Sequence, residues 1–194
     1  QGLPTTPIEK LIFEGQPLMV QVIKDPLGTK GARLSTQISI AGRMLVYLPF
    51  DPHIGISQRI DSESERHSLR ERVARLITED ETGGFIVRTQ AEGATDEELA
   101  ADCSYLRKLW VSIQEKLKTQ PAPSLLYSDL TLPQRVLRDM VTPTTNNIMV
   151  DSRSTTQELL DWAKRYTPSV IDRINHYSGE RPLFDTANVD DEIN

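Results

Sequence analysis

The chain has 194 residues, 38% of them hydrophobic, and a formal net charge of -6, which is enough for one domain or two small ones, each with a core; two compact units are the expectation. The acidic excess means that total charge does not attract polyanions, so nucleic-acid binding would have to come from a local basic patch. A lone Cys103 excludes an internal disulfide and a CxxC metal clip, and no apolar run approaches the roughly 20 residues of a membrane span, which together imply a soluble, reducing, cytoplasmic setting.

The N-terminus, Gln1-Gly-Leu-Pro4, has neither signal-peptide character nor an initiator methionine and reads as a cut from a longer chain. From Gln16 to Lys24, Leu18, Val20 and Val22 alternate with Met19, Gln21 and Ile23, which predicts a strand. Leu34 to Leu48 carries two more apolar runs around Ala41-Gly42. The loop between holds Lys30 and Arg33 beside Gly28 and Gly31. Asp51 to Gly55 is a turn, and Ser62-x-x-Glu65 predicts a capping box opening a helix with Leu69, Val73, Leu76 and Ile77 at helical spacing. Phe85 to Arg88 is a compact strand after Gly83-Gly84. Thr95-x-x-Glu98 then opens a second helix whose apolar stripe is Leu99, Cys103, Leu106, Trp110, Ile113 and Leu117. Pro121 and Pro123 cannot continue it, so a domain boundary is expected there. Beyond come a helix at Pro133 to Val141, a strand at Ile148 to Asp151 and a helix opened by Ser154-x-x-Gln157, an α/β pattern too short for a full doubly wound sheet. Val189 to Asn194 resolves into no capped element, and Asp190-Asp191-Glu192 reads as a solvated tail.

Three segments share one pattern: a glycine, a short apolar run, then an arginine beside a hydroxyl or amide. They are the Glu14 to Pro49 stretch, Gly55 to Ile60, and Gly83 to Thr89, and they could converge on one phosphate. Arg88-Thr89 offers a guanidinium, a hydroxyl and a main-chain amide at a strand end, a set that suits a phosphate monoester. The plain alternative is a solvated edge charge. Lys30 and Arg33 suit a loop that lets RNA approach the main chain, or an ordinary charged hairpin tip; Arg43 and Arg59 pose the same choice. Gly42 and Val46 could give a close approach and an apolar platform under a terminal base, although a strand glycine is more often a bend. His53, His67 and His176 form no zinc set. Asp151, Asp161, Asp172 and Asp185 lack the spacing of a two-metal centre, and Cys103 reads as core rather than nucleophile.

EGQPLMVQVIKDPLGTKGARLSTQISIAGRMLVYLP (Glu14 to Pro49), GISQRIDSESER (Gly55 to Arg66), GGFIVRT (Gly83 to Thr89), LPQRVLRD (Leu132 to Asp139) and HYSGERPLFD (His176 to Asp185) resemble the ribonuclease E/G family, nearer to its ribonuclease G branch than to ribonuclease E. The resemblance covers nearly the whole chain. It implies an α+β fold: a mixed-sheet 5′-sensor domain with two amphipathic helices, flanked by OB-fold strands and a partial RNase H-like α/β domain. Residues 1–36 would be the end of the OB-fold RNA-binding domain, 37–124 the 5′-sensor, 125–185 part of the RNase H-like domain and 186–194 the start of a DNase I-like catalytic domain. Arg88 and Thr89 match the pair that grips a 5′-monophosphate, Gly42 and Val46 match positions near the terminal nucleotide, and Lys30, with Arg33 beside it, matches an OB-fold loop facing RNA. Where ribonuclease E has two consecutive arginines after the GIS motif, this chain has Gln58-Arg59, so the helper arginine is either lost or supplied by Arg59. In the family the pocket also takes an arginine from the catalytic domain. The metal-holding aspartates and zinc-link cysteines would lie beyond Asn194, so the Mg²⁺ and Zn²⁺ of the homo-oligomeric parent have no ligands here, and the segment alone should not cleave RNA.

The leading expectation is a module that recognises the 5′-monophosphate end of single-stranded RNA for an endoribonuclease of rRNA and mRNA processing and decay. The competing one is an architectural or oligomerisation element that tracks RNA backbone without reading its end. A third, a nuclease using Asp151 and Asp185 on their own, has the least support.

Overall fold

The computed structural model describes residues 6–79 and 81–193 as an α+β fold. The expectation for Gln1 to Pro4 lies outside the described residues. After a 3-10 turn at Ile8–Lys10, β1 (Gln21–Lys24) and β2 (Arg33–Ser35) form an antiparallel hairpin. The alternation predicts a strand from Gln16, but pairing starts at Gln21 opposite Ser35, where the partner strand ends. Leu27 and Lys30 exchange backbone hydrogen bonds at 3.0 and 3.1 Å across a turn in which Gly28 takes a φ of 58°, a conformation a Cβ would strain. Val22, Ile23 and Leu34 of the hairpin are exposed.

The strands β3 (Ile40–Ala41), β4 (Leu45–Leu48), β5 (Ile54–Ile56) and β6 (Gly84–Val87) form one mixed sheet in the spatial order β3-β4-β6-β5, with only the β5–β6 pair parallel. Side chains alternate across it. Leu45, Tyr47, Ile56, Phe85 and Val87 are buried on one face, whereas Val46 and Ile86, paired across β4 and β6, lie on the other. The buried face packs against α1 (Glu63–Leu76) and α2 (Asp96–Thr119).

Ser62 caps α1 by accepting from the Glu65 N–H at 3.3 Å, but the expected box stays half closed. Glu65 Oε1 instead accepts from the Gly93 N–H at 3.4 Å, tying α1 to the loop ahead of α2. The Thr95–Glu98 box is complete, with its two bonds at 3.2 and 2.9 Å. Along α2, Leu99, Cys103, Leu106, Trp110 and Ile113 are buried as their spacing predicts, but Leu117 is 47% exposed. A 24-residue helix runs about 36 Å and outlasts the four-residue strands beneath it. Cys103 is 1% exposed, and burial pushes its thiol from 9.0 up to about 11. It therefore favours the folded chain below the unfolded value, and that contribution fades as pH rises toward 11. We expect Cys103 to resist iodoacetamide at neutral pH until the protein is unfolded; peptide mass spectrometry showing rapid native alkylation would contradict its placement.

Arg107 of α2 holds the segment between α1 and β6 through Nε to Glu81 Oε1 at 3.2 Å, Nη2 to Glu81 Oε2 at 2.5 Å and Nη2 to the Leu76 carbonyl at 2.5 Å. Glu81 is 8% exposed and Arg107 34%, so deleting the arginine strands a buried carboxylate. We expect Arg107→Ala to destabilise the protein by about 2 kcal/mol, the cost of breaking a buried pair discounted for the guanidinium's exposure. Lys164→Ala, whose partner Asp161 is exposed, serves as the near-neutral control in the same denaturant titration.

α2 ends at Thr119, ahead of Pro121 and Pro123. Beyond it lie α3 (Leu132–Asp139), β7 (Ile148–Val150), α4 (Arg153–Tyr166) and β8 (Ile174–His176), with β7 and β8 paired in parallel. The box expected at Ser154 does not form. Ser152 is the cap, accepting from the Thr155 N–H at 3.3 Å, because the helix starts at Arg153 and Ser154 is already inside it. The two sheets are separate, yet one buried cluster joins them: Tyr105 of α2 packs edge-on against Trp162 and Tyr166 of α4, with centroids at 6.1 and 5.7 Å. Two short helices, α5 (Leu183–Thr186) and α6 (Val189–Ile193), follow, so the acidic run at 190–192 is helical, with Asp191 and Glu192 exposed. Among the described residues no helix is long and apolar enough to cross a membrane.

Candidate anion-binding site

Arg88 directly follows β6, and both its main chain and its side chain rest on the turn between β3 and β4. Its N–H donates to the Met44 carbonyl at 2.8 Å, and Nη1 donates to the Gly42 carbonyl at 2.5 Å. The remaining guanidinium donors meet no carboxylate: among the described residues, none forms an ion pair with Arg43, Arg59 or Arg88. Thr89 opens a 3-10 turn (Thr89–Ala91), and its Oγ1 lies 3.4 Å from Ser57 Oγ. The Ser57 N–H donates to the Val87 carbonyl at 2.8 Å, fixing the end of β5 beside the end of β6.

Ser57 Oγ also accepts from the Arg59 N–H at 3.3 Å, so the same hydroxyl that neighbours Thr89 also holds the turn bearing Arg59. Arg66 of α1 pins that loop from below through Nη1, at 2.7 Å from the Ser57 carbonyl and 3.2 Å from the Ile60 carbonyl. Arg59 itself is exposed at its rim. Arg88 is thus tied to Gly42 and Thr89 to Ser57 at one end of the sheet, and Val46 lies on the sheet's outer face opposite Ile86. Of the three Gly-punctuated segments, those around Arg59 and Arg88 adjoin through β5 and β6. The first contributes Gly42 rather than its Gly28–Gly31 loop.

Lys30 and Arg33 belong to a different patch. Both are exposed on the β1–β2 hairpin, which is coupled to the main sheet by the Gln21 amide: Nε2 donates to the Ser39 carbonyl at 2.9 Å, and Oε1 accepts from the Ser39 N–H at 2.8 Å.

Two contributors escape sequence reasoning. Ser57 sits in the GIS motif, where a hydroxyl at a strand end was the available signal. Asp102 is the more consequential. It lies within the buried face of α2, 8% exposed, and its carboxylate accepts from the N–H groups of Arg43 at 2.9 Å, Met44 at 2.8 Å and Leu45 at 2.8 Å. Burial raises this carboxyl above the ordinary carboxylate range, with the three N–H donors and Arg138 acting in the opposite sense. A Cβ on Gly42 would come within 2.6 Å of Asp102 Oδ2, which explains the glycine: the turn passes too close to the acid for any side chain. An acidic residue embedded in an apolar stripe was the clue. On the far side, Arg138 Nη1 donates to the Ala41 carbonyl at 2.9 Å and Arg43 Nη1 to the Val141 carbonyl at 3.0 Å, bordering a cavity of about 310 Å³ between the turn, α2 and α3.

Asp151, Asp161, Asp172 and Asp185 are exposed, as are His53, His67 and His176. Among the described residues no group of three or more His, Cys, Asp or Glu side chains is arranged to hold a metal ion. These residues do not fit a Mg²⁺ or Zn²⁺ centre, and no catalytic step is assigned to them.

Fold and site together define an α+β module with an arginine- and hydroxyl-bearing sheet end suited to an anion. Residues 39–194 match the Ribonuclease E/G family, and the chain belongs to it. It is 48% identical over 186 residues to the Ribonuclease G of Salmonella typhimurium strain SL1344 and to that of Escherichia coli K12, the alignment covering 96% of this chain and 38% of each relative. A Ribonuclease E from Haemophilus influenzae is 36% identical over the full chain, which covers 20% of that relative. The chain thus spans less than half the length of the ribonucleases it matches.

Proposed function

We propose that this chain is the RNA-binding, 5′-monophosphate-sensing part of a single-strand-specific endoribonuclease acting in rRNA and mRNA processing and decay. The observation that carries the reading is Arg88: one N–H is committed to the Gly42 carbonyl, and no carboxylate pairs with the rest among the described residues; the next residue, Thr89, holds its hydroxyl 3.4 Å from Ser57 Oγ. A terminal phosphate carries more charge than a bridging one and strengthens each such bond. Val46 and Ile86 on the same outer face offer an apolar floor for the terminal base, and Arg59, exposed and without an ion pair among the described residues, would supply the helper cation.

Residues 37–124 would be the 5′-sensor and 125–185 part of an RNase H-like domain, with 186–194 leading into the catalytic domain. The exposed apolar side chains of the hairpin support 1–36 as the last strands of a larger OB-fold, with Lys30 and Arg33 along the RNA backbone. The whole enzyme would be a cytoplasmic, homo-oligomeric, Mg²⁺-dependent hydrolase, its oligomer linked through Zn²⁺ and its metal ligands outside this chain. Selection works by charge and size: a 5′-hydroxyl leaves donors unpaired, costing about 1–3 kcal/mol per group, and a triphosphate overfills a pocket for one phosphate.

Binding of single-stranded oligonucleotides with 5′-monophosphate or 5′-hydroxyl ends to the full-length protein tests this. Tighter binding of the monophosphate at fixed salt is expected. Equal affinities, falling together as salt rises, would replace end recognition with backbone tracking by an architectural element.

A further inference from the structure

We propose that Asp102 is a positioning residue for 5′-phosphate recognition: its carboxylate fixes the turn at residues 42–44, and that turn sets the direction of the Arg88 guanidinium. The inference rests on the reading of Arg88 given above and adds to it a residue from a different element, with no contact to the ligand.

The chain of contacts is short and continuous. Asp102 Oδ1 takes the Arg43 N–H, and Oδ2 takes those of Met44 and Leu45. The turn is closed by the Gly42 N–H donating to the Leu45 carbonyl at 2.8 Å. With its N–H groups turned inward to the acid, the turn presents the carbonyls of Gly42 and Met44 to Arg88, and these two oxygens hold that residue's Nη1 and main-chain N–H. Without the carboxylate, the buried N–H groups of Met44 and Leu45 and the part-buried one of Arg43 lose their acceptor, and the turn has reason to rotate toward water or other partners.

A packing role alone would not need an acid. Burying a carboxylate is costly unless its oxygens are satisfied, and for packing alone an apolar residue would fill the space between α2 and the turn at less cost. Arg138 from α3 is the charged side chain acting on Asp102; it donates to the Ala41 carbonyl and pairs with Asp139, while the Arg43 guanidinium donates to the Val141 carbonyl. Both are donors only, so neither can replace the acid as acceptor of the three N–H groups. Gly42 adds a second sign of the same arrangement, because any side chain there would collide with the carboxylate.

The test uses the full-length enzyme and reads the ratio of cleavage rates on matched 5′-monophosphate and 5′-hydroxyl RNAs, together with thermal unfolding. Asp102→Ala is expected to lower the ratio about tenfold, the scale of one well-oriented hydrogen bond to a charged group, with the monophosphate arm carrying the loss. Asp102→Asn, which keeps the shape and at least one acceptor, should fall between it and wild type, and it decides the matter if the alanine variant does not fold. Gly42→Ala should lower the ratio in the wild-type background and add little in Asp102→Ala, where the collision is relieved. A wild-type ratio near one overturns the reading of Arg88 itself. A normal wild-type ratio that both Asp102 variants retain, or a loss spread equally over both RNAs, overturns the positioning role alone.

Discussion

Arg88→Ala is expected to bring 5′-monophosphate and 5′-hydroxyl RNA to the same affinity in the full-length protein. The preference lost should amount to about 1.5–3 kcal/mol, the worth of hydrogen bonds to a charged group, or roughly 10–150-fold in affinity. The argument rests on how the guanidinium is divided. Nη1 is held by the Gly42 carbonyl, which fixes the plane of the group, and the donors left over can meet a phosphate together. Arg88→Lys separates charge from geometry: an ammonium cannot hold the Gly42 carbonyl and present a planar fork at once, so it should recover only part of the preference. Titration of both oligonucleotides at one salt concentration reads the result. A preference that survives Arg88→Ala would place the phosphate elsewhere, with Arg59 the next candidate.

Gly84→Ala should be the most damaging small substitution in the main sheet. An added Cβ would lie 2.1 Å from the His53 carbonyl oxygen, 2.6 Å from that of Asp51 and 2.7 Å from the His53 nitrogen. All three atoms are backbone, so no rotamer change relieves the overlap. The segment leading into β5 crosses directly over β6 at this glycine, and the Phe85 N–H donates to the same His53 carbonyl at 3.0 Å. Overpacking of this kind costs about 3 kcal/mol, which for a protein of this size lowers the melting temperature by roughly 6–12 °C. Gly31→Ala is the control, since nothing lies within 4 Å of its Cβ position; a change within about 0.5 kcal/mol is expected there. Equal melting temperatures for the two variants would refute the close crossing. Because the crossing positions β5, and with it Ser57 and the Arg59 loop, Gly84→Ala should also weaken recognition of the 5′ end.

Much of this was readable from the amino-acid order. The helices announced themselves through caps and stripes: Thr95 and Glu98 close the box at the start of α2, and Leu99, Cys103 and Leu106 face inward. Those are local properties, set by hydrogen bonds within one turn and by a period of 3.6 residues. Errors came where a neighbour decides. Leu117 fits the stripe but is exposed, residues 16–20 alternate but pair with no strand among the described residues, and Glu65 leaves its own cap for Gly93.

The candidate site divides in the same way. By itself the sequence determined the residue types that could meet an anion, Arg88 and Thr89 after an apolar strand, and the glycines that let backbone come close. Only the tertiary structure decided that Gly42, forty-six positions before Arg88, supplies the carbonyl that orients it, and that Asp102, fifty-nine positions after Arg43, holds the turn in place. The physical reason is that hydrogen bonds between distant segments leave no periodic trace. A buried carboxylate serving three backbone N–H groups looks, in sequence, like any other acid on a helix until the fold brings the turn against it.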